Sequence, residues 1–409
     1  MINSIDIIDS EVLLNPANIN NIQSLNSIQE EKEFNSLDSC SHGGIYSTKN
    51  YLQVKIDFSS NINPLGISRQ VLKEIKKNIK QISHIYPDSN CNLLKKSIAE
   101  FVKHDIDIDK EWINVGNGAT EIIHNFVRAV SLGNSIIISP TFCEYELASK
   151  RCKMKINFVP LSKKLQIRAD KVIEISKKIN SNSLIFICNP NNPTGLVNTQ
   201  MIEKILSSID SSKTIVLLDE SFIEFLNDIE KESLMSKIKE YPNLAILRSM
   251  TKSYGLAGLR LGYIVANPRL IRKLKLFQIP WSVNGIAQIA GIAALNDQDH
   301  IIRAKKIIER EKNYMIKHIN NKEIHATALE SDVNFFLIKL KNINSTTYQK
   351  ILLNFYGIYV RDCSSFRGIS ADFIRVAVKT HKDNVGLLKA IYDVNDHLNK
   401  STMFKSKQV

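Results

Sequence analysis

The chain has 409 residues, 44% of them hydrophobic and 23% charged, with a formal net charge of +13. That length exceeds one ordinary core and predicts two domains, and the composition is that of a globular protein rather than a disordered or fibrous one. No apolar run approaches the ~20 residues of a membrane span, and the opening MINSIDIIDSEVLLNP carries acids where a secretory signal carries bases, so the expected location is cytoplasmic, without membrane contact.

The charge is unevenly placed. Residues 1–40 hold seven acids against the single base Lys32, a net of −6, which leaves the remainder at +19. A basic body suits nucleic acid, or an anionic substrate and cofactor. The lysines are scattered along helical stretches such as LKEIKKNIK at 72–80, without interleaved aromatics, so anionic small molecules are expected and nucleic acid is not. The six cysteines, at 40, 91, 143, 152, 188 and 363, show no CxxC spacing. Buried reduced thiols are expected, and no metal site.

Residues 1–41 are rich in Asn, Ser, Ile and Glu without sustained periodicity, which predicts a loosely docked extension. From Leu52 onward, helical patterns at 69–81, 91–102 and 119–130 accompany four short apolar runs: SIIIS at 135–139, SLIFIC at 183–188, TIVLLD at 214–219 and LAILRS at 244–249. Runs this short and apolar fit strands buried on both faces, and helical segments between them predict an α/β fold with a parallel sheet covered on both sides. After Ala266 comes a helical region broken at Pro280–Trp281. VNFFLIKL, IYVRDC and FIRVAVK then read as strands of a smaller α+β domain. The expected division is an extension over 1–41, a segment over 42–80 that contributes to the smaller domain and the site, a large domain over 81–285, a small domain over 286–395 and a tail over 396–409.

In open α/β sheets ligands bind at the carboxyl ends of the strands, and four such ends carry polar groups here. In VGNGATE, 115–121, Gly116 and Gly118 allow a tight turn that leaves the N–H groups of Ala119 and Thr120 at a helix start. That is a phosphate cradle or simply a glycine turn. NPNNPTG, 189–195, is either an Asn/Pro turn or a loop whose Asn side chains offer donors to a ring substituent. In LLDESF, 217–222, Asp219 and Glu220 follow an apolar strand. A buried carboxylate there needs a partner: a protonated pyridine nitrogen, a structural arginine or a helix N-terminus. In RSMTKSYGLAGLRLGY, 248–263, Thr251 and Lys252 lie just past a strand and Arg260 eight residues on. Most lysines are surface groups, but one held between a buried strand and a Gly-rich apolar segment can lose its proton readily and form a Schiff base.

In order and spacing these four segments resemble the fold-type I pyridoxal-phosphate enzymes, over about residues 42–378. The resemblance implies a large domain with a mostly parallel sheet covered by helices, a smaller α+β domain, pyridoxal 5'-phosphate as cofactor and a homodimer acting on a small amino acid. Lys252 would carry the cofactor and share catalysis with Asp219, which would pair with the pyridine nitrogen. Asn192 would bond the phenolic oxygen, and Phe142 in SPTFCEY would stack on the ring. Ala119, Thr120, Thr251 and Arg260 would hold the phosphate, and Tyr86 in YPD would reach it from the partner subunit. Phe222 stands at a cofactor-facing position where many aminotransferases have a tyrosine.

Within that family, HGG at 42–44, DFSSNINPLG at 57–66, Phe222 in DESFIEF and IPWSVN at 279–284 resemble the threonine-phosphate decarboxylases of cobalamin biosynthesis. The histidinol-phosphate aminotransferases share only the less selective NPTG and GLRLGY. The expected reaction is loss of CO₂ from L-threonine O-3-phosphate, giving (R)-1-aminopropan-2-ol O-phosphate. A serine-phosphate decarboxylase giving ethanolamine phosphate and a histidinol-phosphate aminotransferase are the alternatives. By position His42, Gly43, Asn61 and Asn192 would touch the substrate, and Arg361 and Arg375 would clamp its anionic groups with bidentate forks; the other reading of either arginine is a surface salt bridge, worth little.

Overall fold

The computed structural model describes residues 42–406, apart from 180 and 321–323, and the side chains up to 398. The expected acidic extension lies outside the described residues.

The first short strand is β1 (Ile56–Asp57). Helices α1 (Arg69–Ile82) and α2 (Asn92–Phe101) lead into β2 (Ile113–Asn117), α3 (Gly118–Val130), β3 (Asn134–Ser139), α4 (Glu144–Arg151) and β4 (Lys155–Pro160). Then follow α5 (Ala169–Lys178), β5 (Ser183–Cys188), α6 (Thr199–Ser208), β6 (Thr214–Asp219), β7 (Leu244–Ser249) and β8 (Leu261–Ala266). The seven strands after β1 form one sheet in the order β2-β8-β7-β6-β5-β3-β4. The apolar runs of β3, β5, β6 and β7 pair in parallel, as expected. Successive side chains serve opposite cores: Leu184 and Phe186 pack with Ile137 and Leu217 on one face, and Ile185 and Ile187 with Ile136 and Leu218 on the other.

Three strands of this sheet, β2, β4 and β8, lie outside the four apolar runs. β4 is an edge strand with a half-exposed pattern. β8 runs antiparallel to both β7 and β2, because the 250–260 return that carries Lys252 is too short for the crossover a parallel neighbour requires.

The remainder comprises α7 (Pro268–Lys275), α8 (Gly285–Leu295), α9 (Gln298–Asn320), β9 (Ala326–Ala328), β10 (Phe335–Leu340), α10 (Ser345–Tyr356), β11 (Ile358–Tyr359), β12 (Arg361–Asp362), β13 (Phe373–Ala377) and α11 (His381–Ser406). A second, antiparallel sheet has the order β12-β13-β10-β9, while β1 pairs in parallel with β11. Phe336, Ile338, Ile374, Val376, Leu387 and Ile391 form its separate core, and Phe58 from the N-terminal segment is buried among them. The backbone of Phe58 is stitched to both neighbours, its N–H donating to Tyr359 O at 2.7 Å and its O accepting from Ala377 N at 2.9 Å. α11 runs unbroken through position 396, where a tail was expected to begin.

Cys91, Cys152, Cys188 and Cys363 are free, as expected. Cys143 is disulfide-bonded, which corrects the expectation of a reduced thiol at that residue. Among the described residues no group of His, Cys, Asp and Glu could hold a metal, and no helix is long and apolar enough to cross a membrane.

Candidate active site

The carboxyl ends of β5, β6 and β7 and the start of α3 open onto a cavity of about 420 Å³, bounded on its other side by β12, β13 and the 42–61 segment. Every predicted site residue lines it except Tyr86. The Tyr86 side chain is 81% exposed, with its ring 5.0 Å from that of Trp281.

At one end, Gly118 opens α3 with φ +81°, and a Cβ on it would lie 2.6 Å from Nη2 of Arg260. Only glycine allows the guanidinium to approach the helix start so closely. The N-cap side chain of α3, like those of α2, α4, α5 and α6, makes no capping bond, and α3 is the helix whose start lines the cavity. The helix therefore presents its dipole and first N–H groups, with Arg260 and Thr251 beside them, to an anion. Thr251 Oγ1 lies 2.7 Å from Ser249 Oγ.

In the middle, Asp219 closes β6, almost fully buried. Its two oxygens accept from Tyr145 Oη at 2.7 Å and from Ser221 N at 2.9 Å. Burial pushes its carboxyl pKa upward, with the hydrogen bonds from Ser221 and Tyr145 opposing. A structural arginine is not its partner: Arg248 pairs with Glu220 at 2.9 Å, and Glu220 also accepts from Ser233 and Leu234 N. The two adjacent acids have thus divided their roles, one locked into the core and the other left facing the cavity. Phe142 and Phe222 line the same region, Phe222 braced edge-on by Phe335 at 4.9 Å.

Lys252 follows β7, and only part of its side chain faces the cavity. Loss of solvent, then the positive charges of Arg375 and Arg260, pull its ammonium pKa from 10.5 to about 8, with Asp57 opposing. A lysine about half neutral near pH 8 is an available nucleophile.

At the far end, Arg361 and Arg375 stand directly opposite each other on β12 and β13. Both are almost fully buried, so their mutual repulsion is screened little. Arg375 donates to Asn192 Oδ1 and, at 2.6 Å, to Ser59 O, while its buried Nε has no hydrogen-bond partner. Arg361 donates to His42 O at 3.1 Å and to Ser365 Oγ at 3.0 Å. Asn61 is buried with Oδ1 unpartnered. A Cβ on Gly43 would lie 2.4 Å from Ser59 O, so the two stretches of the N-terminal segment touch backbone to backbone.

A model of the aminotransferase class I and II family matches residues 53–391. The chain belongs to that family. A protein of Caldanaerobacter subterraneus named "Putative threonine-phosphate decarboxylase" is 37% identical over 362 residues, 88% of this chain and 95% of that one. The crystal structure of the histidinol-phosphate aminotransferase from Clostridium acetobutylicum has a TM-score of 0.76 at 33% identity, covering 84% of this chain and 99% of the other. That of L-threonine-O-3-phosphate decarboxylase from Porphyromonas gingivalis has a TM-score of 0.72 at 27% identity, covering 83% and 99%.

Members of this aminotransferase family use pyridoxal 5'-phosphate, and the cavity fits it. The uncapped α3 start with Arg260 suits the phosphate, the buried Asp219 carboxyl suits a protonated ring nitrogen, and the depressed lysine lines the same cavity. Three contributors were not foreseen. Tyr145 fixes the Asp219 carboxylate. Glu144 accepts from His42 Nε2 at 2.8 Å and His124 Nε2 at 2.7 Å; burial would raise its carboxyl pKa, but the two imidazoles bring it down to about 2. Asp57 accepts from Ser59 N and from the hydroxyls of Ser59 and Ser60. Glu144 and Tyr145 lie within SPTFCEY, where an acid and an aromatic in a first helical turn beside Phe142 were the available signal.

Proposed function

We propose that this family member decarboxylates L-threonine O-3-phosphate to (R)-1-aminopropan-2-ol O-phosphate. The observation that carries the reading is Arg375. It is a buried guanidinium that makes no ion pair with a carboxylate among the described residues, has an unsatisfied Nε, and stands opposite a second arginine in the cavity that holds Lys252. A buried cation so placed is stable only with an anion, and two cations side by side suit a substrate bearing both carboxylate and phosphate. The choice among phosphorylated amines rests on HGG, NINPLG, Phe222 and PWSVN, and on the 37% identical relative.

Bound pyridoxal phosphate supplies an electron sink for the pair left at Cα when a bond there breaks. The protein does the rest. Arg375 and Arg361 fix the anionic groups, Asn61 offers its unpartnered amide oxygen, and Phe142 limits water on one side. Lys252 Nζ delivers the proton that replaces CO₂ at Cα.

The test is phosphothreonine with no keto acid. Stoichiometric CO₂ and repeated turnover are expected. A single half-reaction that converts the cofactor to its pyridoxamine form and stops would establish an aminotransferase, and glutamate formed from histidinol phosphate with 2-oxoglutarate would agree with it. Phosphoserine is the close competitor, since one methyl is worth only ~1–3 kcal/mol.

The enzyme is further proposed to be a cytoplasmic homodimer in which Tyr86 serves the partner's phosphate site. Tyr86, its chain neighbour Ile85 and Trp281, whose ring lies 5.0 Å from that of Tyr86, are all exposed. Tyr86→Phe should weaken cofactor retention by about 1.5–3 kcal/mol, the worth of a hydrogen bond to a charged group, read by dialysis. A monomer fully active at nanomolar concentration would rule this arrangement out.

A further inference from the structure

The segment from Asp57 to Ile67 crosses the molecule as a strap between the substrate arginines and the lysine. At its start Phe58 is tied into the smaller sheet. Ser59 O then accepts from Arg375 and Ser60 O from Lys379 Nζ at 3.3 Å. Asn61 faces the cavity. Two residues on, Asn63 reaches the lysine loop twice: its N–H donates to Lys252 O at 3.0 Å, and its Nδ2 donates to Ser253 O at 2.7 Å. Its Oδ1 meanwhile accepts from Leu65 N at 2.9 Å, which fixes the turn that aims the amide. Asn63 is 2% exposed, so both bonds lie out of water. The strap continues in contact: a Cβ on Gly255 would lie 2.4 Å from the backbone of Gly66, and Gly66 O meets His300 Nε2 at 2.9 Å.

We propose that Asn63 is a positioning residue for Lys252, and that through it the strap ties the placement of the lysine to the occupancy of the arginine clamp. Lys252 is the third residue past β7, and its neighbours in the 250–260 return include two glycines, so the return has little stiffness of its own. Lys252 O also accepts from Gly255 N at 3.3 Å, but the Ser253 carbonyl depends on Asn63 Nδ2, and a buried acceptor that loses its donor is a costly state. A displacement of Arg375 by a bound anion is transmitted to Ser59 O, four residues from Asn63, along a segment held at both ends. Asn61 and Asn63 lie two apart, one facing the substrate and the other the lysine backbone. The short NIN sequence therefore serves both reactants.

This inference rests on Lys252 as the cofactor lysine, and the test separates the two. Borohydride reduction of the wild-type holoenzyme followed by peptide mapping addresses only the lysine; a label elsewhere would sink the reading beneath this one. Asn63→Asp addresses the strap. It keeps Oδ1 and the turn but replaces the Nδ2 donor with an oxygen facing the Ser253 carbonyl. The expected result is a fall in kcat of about ten-fold or more with KM for phosphothreonine changed by less than about three-fold, together with faster cofactor loss on dialysis and slower borohydride fixation at Lys252. His300→Ala serves as the comparison, because it frees Gly66 O in the same strap without touching the lysine loop. It should lower the thermal midpoint while leaving kcat and the rate of fixation within about two-fold of wild type. If Asn63→Asp instead changes only the thermal midpoint, or if both variants shift kcat and fixation alike, Asn63 is part of the scaffold and positions nothing.

Discussion

Replacing Lys252 with alanine is expected to abolish turnover, by on the order of 10⁴-fold or more, while the protein still folds and still binds pyridoxal phosphate reversibly. In the proposed arrangement the phosphate and ring contacts come from α3, Arg260, Asp219 and Asn192, which line the cavity and which the substitution leaves in place. What is lost is the group that holds the cofactor covalently and the group that moves the proton at Cα, and acid–base catalysis alone accounts for about 10²–10⁴-fold. The geometry also sets a pH dependence. With the ammonium pKa at about 8 instead of 10.5, roughly half of Lys252 is the neutral amine at pH 8, against well under ~1% for an ordinary lysine. Cofactor capture by the stripped wild-type enzyme should accordingly rise between pH 7 and 9 with a midpoint near 8. The linkage has a definite sign. Because the folded-state value lies below the unfolded one, the unfolded chain binds the extra proton between about pH 8 and 10.5, and wild-type stability gains from this site as pH climbs through that window. Alanine has no such term. Urea unfolding of the cofactor-free proteins should find Lys252→Ala more favourable relative to wild type at pH 7 than at pH 10. A capture midpoint near 10 would mean that neither burial nor the charges of Arg375 and Arg260 act on the lysine.

The residues that announced this site in the sequence share one physical trait: they follow fully apolar strands. β5, β6 and β7 are buried on both faces, so each reads as a continuous apolar run whose end is unmistakable, and Asp219 and Lys252 stand at or just past such ends. Asn192, Thr251 and the Gly118 turn were readable for the same reason. The opposite holds for β4, where an edge position erases the pattern; β8 is buried throughout, but its antiparallel direction is not written in its composition. Pairings across long separations were also invisible. Nothing local says that Arg248 takes Glu220 and leaves Asp219 to the cavity, that Tyr145 donates to Asp219, or that Arg361 and Arg375 stand face to face; each requires knowing which strands are neighbours. One consequence for the arginines differs from the sequence reading. Neither was expected to affect the cofactor, yet Arg375 holds Asn192 and is the leading charge acting on Lys252.

Arg375→Ala and Arg361→Ala are therefore expected to share one effect and differ in another. Each removes a fork that the proposed substrate needs, and loss of a charge-assisted pair, at ~1.5–3 kcal/mol per hydrogen bond, should lower kcat/KM for phosphothreonine by about ten- to several-hundred-fold. Only Arg375→Ala should also disturb the holoenzyme before substrate arrives. It releases Asn192 Oδ1 and Ser59 O, so the absorbance of the bound cofactor should change, and with the neighbouring positive charge gone the Lys252 pKa should move up from about 8 toward its ordinary value. Arg375→Lys separates the two causes. It keeps the charge, so the cofactor-capture midpoint should stay near 8, but one ammonium on a shorter reach cannot serve Asn192, Ser59 and an anion together, and kcat/KM should still fall. Unphosphorylated threonine should be a very poor substrate for the wild type, because the paired guanidiniums would then face one anion where they are built for two. If threonine and phosphothreonine react at similar rates, or if Arg361→Ala leaves kcat/KM for phosphothreonine unchanged, the paired arginines do not select a phosphorylated amino acid. Their cross-strand repulsion would then have to be balanced by something other than the substrate.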